Sequence, residues 1–276
     1  MSMQLFGYAE QNTWIHRLSG ATKLLAFLGL SIIAMVSYDA RFLAAITVMS
    51  LILFKQARIT WPQIRLVTKL ILFFSILNLL AVYVFSPEYG VQLYGTRHLI
   101  LGSDGYFTLT QEQLFYELNL ILKYIVTVPL ALIFLMTTNP SEFASSLNKV
   151  GLSYRVSYSV ALALRYIPDI QGEYHQISLA QQARGYELSR KANLWQRLRG
   201  AGKILIPLVF ASLDRIDTVS RAMELRRFGR YRKRTWYMGR DFRTSDWLTL
   251  GGTVLIIVVG IGLFSVNGGR FWNPFR

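Results

Sequence analysis

Residues 247–266 read WLTLGGTVLIIVVGIGLFSV, a run without a charged side chain. A helix rises about 1.5 Å per residue, so this length covers the roughly 30 Å hydrocarbon core of a bilayer. The stretch reads as a membrane-spanning helix and sets the class of fold. Four earlier segments share its character. LLAFLGLSIIAMV (24–36) and FLAAITVMSLILF (42–54) are parted only by SYDAR and read as a tight helical hairpin. Each pure run is shorter than a full span, so flanking residues such as Ser37 and Tyr38 must extend it. LILFFSILNLLAVYVF (70–85) and LNLILKYIVTVPLALIFLM (118–136) complete the set. The expectation is an all-α polytopic membrane protein with about five transmembrane helices.

The totals agree. The 276 residues are 53% hydrophobic and 16% charged, against about a quarter charged in soluble domains. The formal net charge is nevertheless +15, which points to nucleic acid, a membrane surface, or a membrane protein with basic cytoplasmic parts. No cysteine is present, which excludes disulfides and thiolate metal sites. The first residues, MSMQLFGYAEQNTWIHRL, lack a continuous apolar core, so no cleaved secretory signal is expected.

Basic residues orient the spans. His16, Arg17 and Lys23 precede the first; Lys55, Arg58, Arg65 and Lys69 follow the second. Between the third and fourth, Arg97 is the only arginine or lysine. From Arg184 to Arg243 there are 16 Lys and Arg against five acids. This pattern puts the N-terminus in the cytoplasm, the 87–113 loop outside, and the stretch between the fourth and fifth spans in the cytoplasm. The expected division is a four-span membrane region (1–137), a cytoplasmic region (138–244), and the fifth span with the C-terminus (245–276). Lys69 can snorkel from its span end. Lys123 lies deeper and reads either as a snorkelling side chain or as a functional cation. Pro129 is expected to kink its helix.

The cytoplasmic region holds two long helices. TTNPSEF opens a shorter one, with Asn139 as cap, Pro140 first and Glu142 completing a capping box. Gly151 is its expected stop. Ser153 then opens a long helix that passes from apolar to polar through Pro168 and ends at Arg184-Gly185. NLWQRLRGAG reads as a connector with a short helix. KILIPLVFASLDRIDTVSRAMELRR repeats the design through Pro207 and ends before Gly229.

The two ends echo each other. QQARGYELSR (181–190) and RAMELRRFGR (221–230) align with Ala180 on Ala222, Arg184 on Arg226 and Tyr186 on Phe228. Singly, each is a helix end whose arginine complements the macrodipole and whose glycine caps it. Together they form two small, smooth faces, each beside a planar fork of donors. Two similar ends imply two similar sockets, and so a partner that is itself a pair.

Other chemistry finds little support. RLRGAGKIL would need glycine at 197 and Ser or Thr at 204 to be a phosphate loop, and Arg197 and Ile204 stand there. No HExxH, GxSxG or acidic metal cluster occurs, and His16, His98 and His175 are scattered. Asp214 and Asp217 read as ion-pair partners of Arg215 and Arg221. Nucleic-acid binding is not needed to explain a charge that lies between two spans. The alternatives are a membrane-embedded enzyme acting on lipid, which would want an interfacial carboxylate or histidine cluster, and a solitary pore or carrier. The latter would want polar spans, where only Asn78, Asn119 and Lys123 are obvious.

The paired arginine motifs resemble the Ala-Arg-Gly signatures of the transmembrane T component of energy-coupling factor (ECF) transporters. WIHRLSGATKLL (14–25) resembles the family's N-terminal segment, and TTNPSEFASSLNKVGLS and LRYIPDI fall in its order. The likeness runs from about residue 14 to residue 265. It implies a non-catalytic scaffold without cofactor or metal. Two coupling helices would each dock an arginine-bearing end into one of two ABC-type ATPases. A small membrane-embedded S component would bind the substrate, a vitamin or transition-metal ion, and topple in the bilayer as the ATPases close. The docking residues implied are Ala183, Arg184 and Gly185, and Leu225, Arg226 and Arg227. The second set departs from the pattern, with leucine for alanine and arginine for glycine.

Overall fold

The computed structural model describes residues 11, 13–101, 108–185, 194–231, 235–236 and 239–275. Among the described residues the chain is all-α but for two short paired strands. Its helices are α1 (Trp14–Arg17), α2 (Gly20–Val36), α3 (Ala40–Gln56), α4 (Trp61–Phe85), α5 (Tyr89–Tyr94), α6 (Gln111–Thr137), α7 (Pro140–Lys149), α8 (Tyr154–Ala183), α9 (Leu194–Leu225) and α10 (Thr244–Val266). Strands β1 (Leu99–Leu101) and β2 (Leu109–Thr110) pair antiparallel. The described residues form two compact units: those of 11–139 with 240–275, and those of 140–239.

In the first unit α2, α3, α6 and α10 share a core of Leu30, Ile33, Ala34, Phe42, Leu43, Ile46, Val126 and Leu130. The contact is close at Gly260 of α10, where a Cβ would stand 2.7 Å from Ile33 and from Phe42. α4 is tied more lightly, through Ile64 beside Leu132 and Met136 and a 2.8 Å hydrogen bond from the Tyr124 hydroxyl to Asn78. Its Phe73, Phe74, Leu77 and Phe85 are all exposed. A helix that is apolar all round belongs in a core or in lipid. α4 from Ile64, α6 and α10 are long and apolar enough to cross a membrane; α2 is apolar but has 17 residues, as does α3. The five segments expected as spans are thus five helices, of which three reach spanning length.

Lys123 does not snorkel. Its Nζ is buried in the first unit, donates to the Met35 carbonyl at 2.7 Å and lies 3.1 Å from the centroid of Tyr38. It satisfies a carbonyl left open at the C-terminal end of α2 and faces an aromatic surface, which together replace water. Asp39, in the SYDAR turn, caps α3 through the Arg41 amide. Burial would raise its carboxyl, but hydrogen bonds from Arg41 and Asn267 outweigh this and hold it below its ordinary range.

The 87–113 segment carries α5 and the hairpin, neither of which the hydrophobic pattern announces. Buried polar side chains hold them. Gln113 accepts from the Gly90 amide at 3.0 Å, and Glu112 accepts from the His98 amide at 3.1 Å and pairs with its ring at 2.7 Å.

The second unit is built on α8 and α9. Arg215 of α9 pairs with Glu173 and, at 3.6 Å, with Asp169, both on α8. These cross-helix acids, rather than Asp214 and Asp217, are the partners of Arg215. α9 is also longer than expected: LWQRLRGAG, from Leu194, forms its first turns and is not a separate connector, while Asn193 lies outside the described residues. Gly200 and Gly202 cost a helix about 1 kcal/mol each relative to alanine. The apolar run that follows offsets this by packing, with Ile204 and Leu208 buried. Both long helices continue through their prolines.

Candidate functional site: two arginine-bearing helix ends

Each end is shaped by how its helix stops. α8 ends at Ala183 with Arg184 as the C-cap. Gly185 has φ +85° and its amide donates to the Gln182 carbonyl at 2.9 Å. α9 ends at Leu225. The Arg226 amide donates to Ala222 at 3.2 Å, Arg227 to Glu224 at 2.8 Å and Phe228 to Met223 at 2.9 Å. The last two bonds are the paired closure of a left-handed helix terminus, in which the residue after the cap takes positive φ. That residue is Arg227, at φ +56°. The stop therefore falls at Arg227, before the Gly229 marked by the sequence. The arginine that replaces glycine in the second motif keeps the glycine's conformation, at a cost in strain.

The two termini thus share one backbone plan, with Arg184 and Arg226 at equivalent positions. Both are exposed, as are Ala180, Ala183 and Ala222. Among the described residues the side chains of Arg184, Arg226 and Arg227 make no hydrogen bond or ion pair. Leu225, which stands where the first end has Ala183, is 86% exposed. A leucine so placed beside unpaired guanidinium groups has the chemistry of a contact surface, since leucine and arginine are what a groove lined by apolar groups and carboxylates or carbonyls would take up.

The ends lie far apart. Phe228 packs on Tyr158 at 4.7 Å and on Tyr154 at 5.9 Å between ring centroids, at the first turns of α8. Arg184 closes the other end of that 30-residue helix. At about 1.5 Å per residue the helix is about 45 Å long, and the two motifs sit at its opposite ends.

They also differ in support. The second end is braced: Arg155 donates to the Gly229 carbonyl at 3.2 Å, Trp236 lies 5.2 Å from Tyr154, and the Trp236 indole donates to Asn148 at 3.2 Å. The matching aromatic of the first end, Tyr186, lies outside the described residues, as does Arg232. The brace was not foreseen. Its signal was the aromatic content of Tyr154, Tyr158, Phe228 and Trp236, which helical periodicity does not bring together.

WIHRLSGATKLL is a knot in the first unit. Ser19 caps α2 and its amide donates to Asp246 at 2.8 Å; the other Asp246 oxygen accepts from the Arg243 amide, also at 2.8 Å. Lys23 donates to the Thr137 carbonyl at 2.7 Å, and Arg240 to the His16 carbonyl at 3.1 Å. The motif therefore joins the starts of α2 and α10 to the end of α6. Asp246, the buried centre of the knot, escaped notice in the sequence because one acid beside an apolar run has no periodic signature.

Comparison with known proteins agrees with this architecture. Residues 11–237, which contain both arginine ends, match the family CbiQ, cobalt transport protein. The energy-coupling factor transporter transmembrane protein EcfT of Streptococcus thermophilus is 29% identical over 266 residues, covering 93% of this chain and 96% of that protein. EcfT of Leuconostoc gelidum is 27% identical over 267 residues (91% and 93%), and EcfT of Staphylococcus aureus 28% over 268 residues (93% and 94%). With its all-α build, its apolar helices of spanning length and a family match over most of its length, the chain belongs to the EcfT/CbiQ family of transmembrane T components.

Proposed function

We propose that this chain is the non-catalytic energy-coupling subunit of an ECF-type importer, working with two ABC-type ATPases and a small membrane-embedded S component. The observation that carries the reading is the pair of like helix ends, each presenting an exposed arginine without a partner among the described residues, about 45 Å apart on one helix pair. One ATPase takes Ala183, Arg184 and Gly185; the other takes Leu225, Arg226 and Arg227. The unequal ends suit an unequal pair of ATPases. The chain crosses the cell membrane with α2, α3, α4, α6 and α10, the N-terminus and the α7–α9 region in the cytoplasm, in accord with the distribution of lysine and arginine. The S component selects the substrate, in the class of vitamins or transition-metal ions, so no residue here names it.

An arginine at the centre of a docking contact is commonly worth about 2 kcal/mol or more, roughly a thirtyfold change in affinity. Arg184→Glu together with Arg226→Glu is expected to release both ATPases during copurification and to abolish uptake. Arg197→Glu and Arg232→Glu, charge reversals outside the motifs, are expected to keep them. A double variant that retains both ATPases and transports normally would refute the docking role.

A further inference from the structure

The first unit has a half-open apolar cavity of about 240 Å³ among α1, α2, α3, α6 and α10. Phe27, Met49, Phe134 and Gly252 contribute to its wall, and Trp14 and Lys23 stand at it too. Its polar atoms are turned away. The Thr249 and Thr253 hydroxyls donate within α10 to the Ser245 and Thr249 carbonyls, each at 2.9 Å, and so leave their methyl groups to the cavity. Lys23 directs Nζ to Thr137. A water molecule needs two to four polar partners to stay in such a space, and this wall offers few.

Position identifies the occupant. The cavity lies along the N-terminal halves of α2 and α10 and the C-terminal halves of α3 and α6. On the orientation proposed above, on which this inference rests, that is the cytoplasmic leaflet. Trp14 and Trp247, 47% and 65% exposed, stand at the same helix ends, the depth at which indoles favour the headgroup layer. Cations surround that level. Arg17 is exposed between the wall residues Ile15 and Leu18, Arg240 donates from its guanidinium to the His16 carbonyl, and Arg243 caps α10. Of the acids near them, Asp246 is committed to the Ser19 and Arg243 amides, and Asp241 lies in the segment between Arg240 and Arg243.

We propose that this cavity seats one acyl chain of an anionic phospholipid from the cytoplasmic leaflet, with its phosphate held by Arg17 and Arg240. Apolar walls beneath a cationic rim are the complement of such a lipid and of little else that a bilayer supplies. Gly252 makes the room: a Cβ built there meets nothing within 4 Å.

The test uses the full chain with whatever subunits copurify, titrated with phosphatidylglycerol or with phosphatidylcholine of the same acyl chains and read by native mass spectrometry. The wild type is expected to hold one phosphatidylglycerol in preference to phosphatidylcholine, by roughly fivefold for each cation engaged. Gly252→Leu fills the cavity and is expected to lose lipids of both kinds. Ala26→Leu, a second filling variant, gives the same reading if the first fails to fold. Arg17→Gln with Arg240→Gln is expected to keep lipid but lose the headgroup preference. A wild type without retained lipid, a wild type indifferent to headgroup, or a folded filling variant that binds as the wild type does would each overturn the proposal. Occupancy is read on this chain itself. A wild-type preparation that carries no ATPase but still holds phosphatidylglycerol counts against the coupling role and upholds the lipid site.

Discussion

At the scale of single residues the structure resolves what looked like a defect in the second motif. The first end has Gly185 in the left-handed conformation; the second has Arg227 there, at φ +56°. A side chain with a Cβ costs about 1 kcal/mol in that region, and glycine does not. Arg227→Gly is therefore expected to raise the melting temperature of the purified protein, by an amount matching roughly 0.5–1 kcal/mol. ATPase copurification should persist, because Arg226 stays in place and glycine at 227 matches Gly185 of the first end, which is proposed to dock in the same way. A lower melting temperature would mean that the Arg227 side chain contributes more than its backbone costs. The sequence marked Arg226 by its spacing from Ala222, which depends only on helical geometry. It could not show that Arg227 would cap the helix, because an arginine in that conformation is an exception paid for by its surroundings.

Those surroundings belong to the scale of elements. The end of α9 is pinned on the first turns of α8 by Tyr154, Tyr158, Phe228 and Trp236, with Arg155 on the Gly229 carbonyl. Aromatic pairs of this kind contribute about 0.5–1.5 kcal/mol each beyond the area they bury. Phe228→Ala removes two of them, and the amides of Arg227 and Phe228, which close the helix end, are expected to exchange with deuterium faster by about tenfold or more. The amides of Arg184 and Gly185 should keep their rates. Equal acceleration at both ends would show that the helix pair frays as one body and that the brace is not local. Helices were legible where periodicity, caps and apolar length spoke together, as at Ser153, which accepts from the Val156 amide. The connector was misread because Gly200 and Gly202 weigh against a helix locally, whereas the packing of Ile204 and Leu208 decides over a longer reach. α5 and the hairpin escaped because buried Glu112 and Gln113 hold them, and a lone polar residue has no period to read.

At the scale of the molecule, the last residues have a part that no span count reveals. After α10 the chain turns back as a strap on the first unit. The Tyr38 amide donates to the Arg270 carbonyl at 2.9 Å, and Asn267 donates to the Asp39 carboxylate at 2.8 Å. Arg41 lies 4.4 Å from the Trp272 ring, Phe271 stacks on Tyr38 at 4.6 Å, and Asn273 donates to the Tyr94 carbonyl at 2.9 Å. Phe275 meets Tyr94, Phe115 and His98, all at about 6 Å. The strap therefore clamps the α2–α3 turn, α5 and the start of α6, beside the Tyr38 ring that faces Lys123. Ending the chain after Val266 removes at least three aromatic pairs and the hydrogen bonds to Asp39 and Tyr94. The loss is expected to exceed about 2 kcal/mol, and Lys123 would keep its Met35 carbonyl but face a Tyr38 ring that has lost Phe271 and keeps Tyr116. The shortened protein should thus melt well below the full chain. The arginine-bearing ends lie in the other unit, each built from contacts within it, so on the proposed function the shortened protein should still copurify with the ATPases in the cold. If it loses them at temperatures where circular dichroism reports intact helices, the two units are not independent, and the strap is part of the coupling path rather than a clamp on the first unit alone.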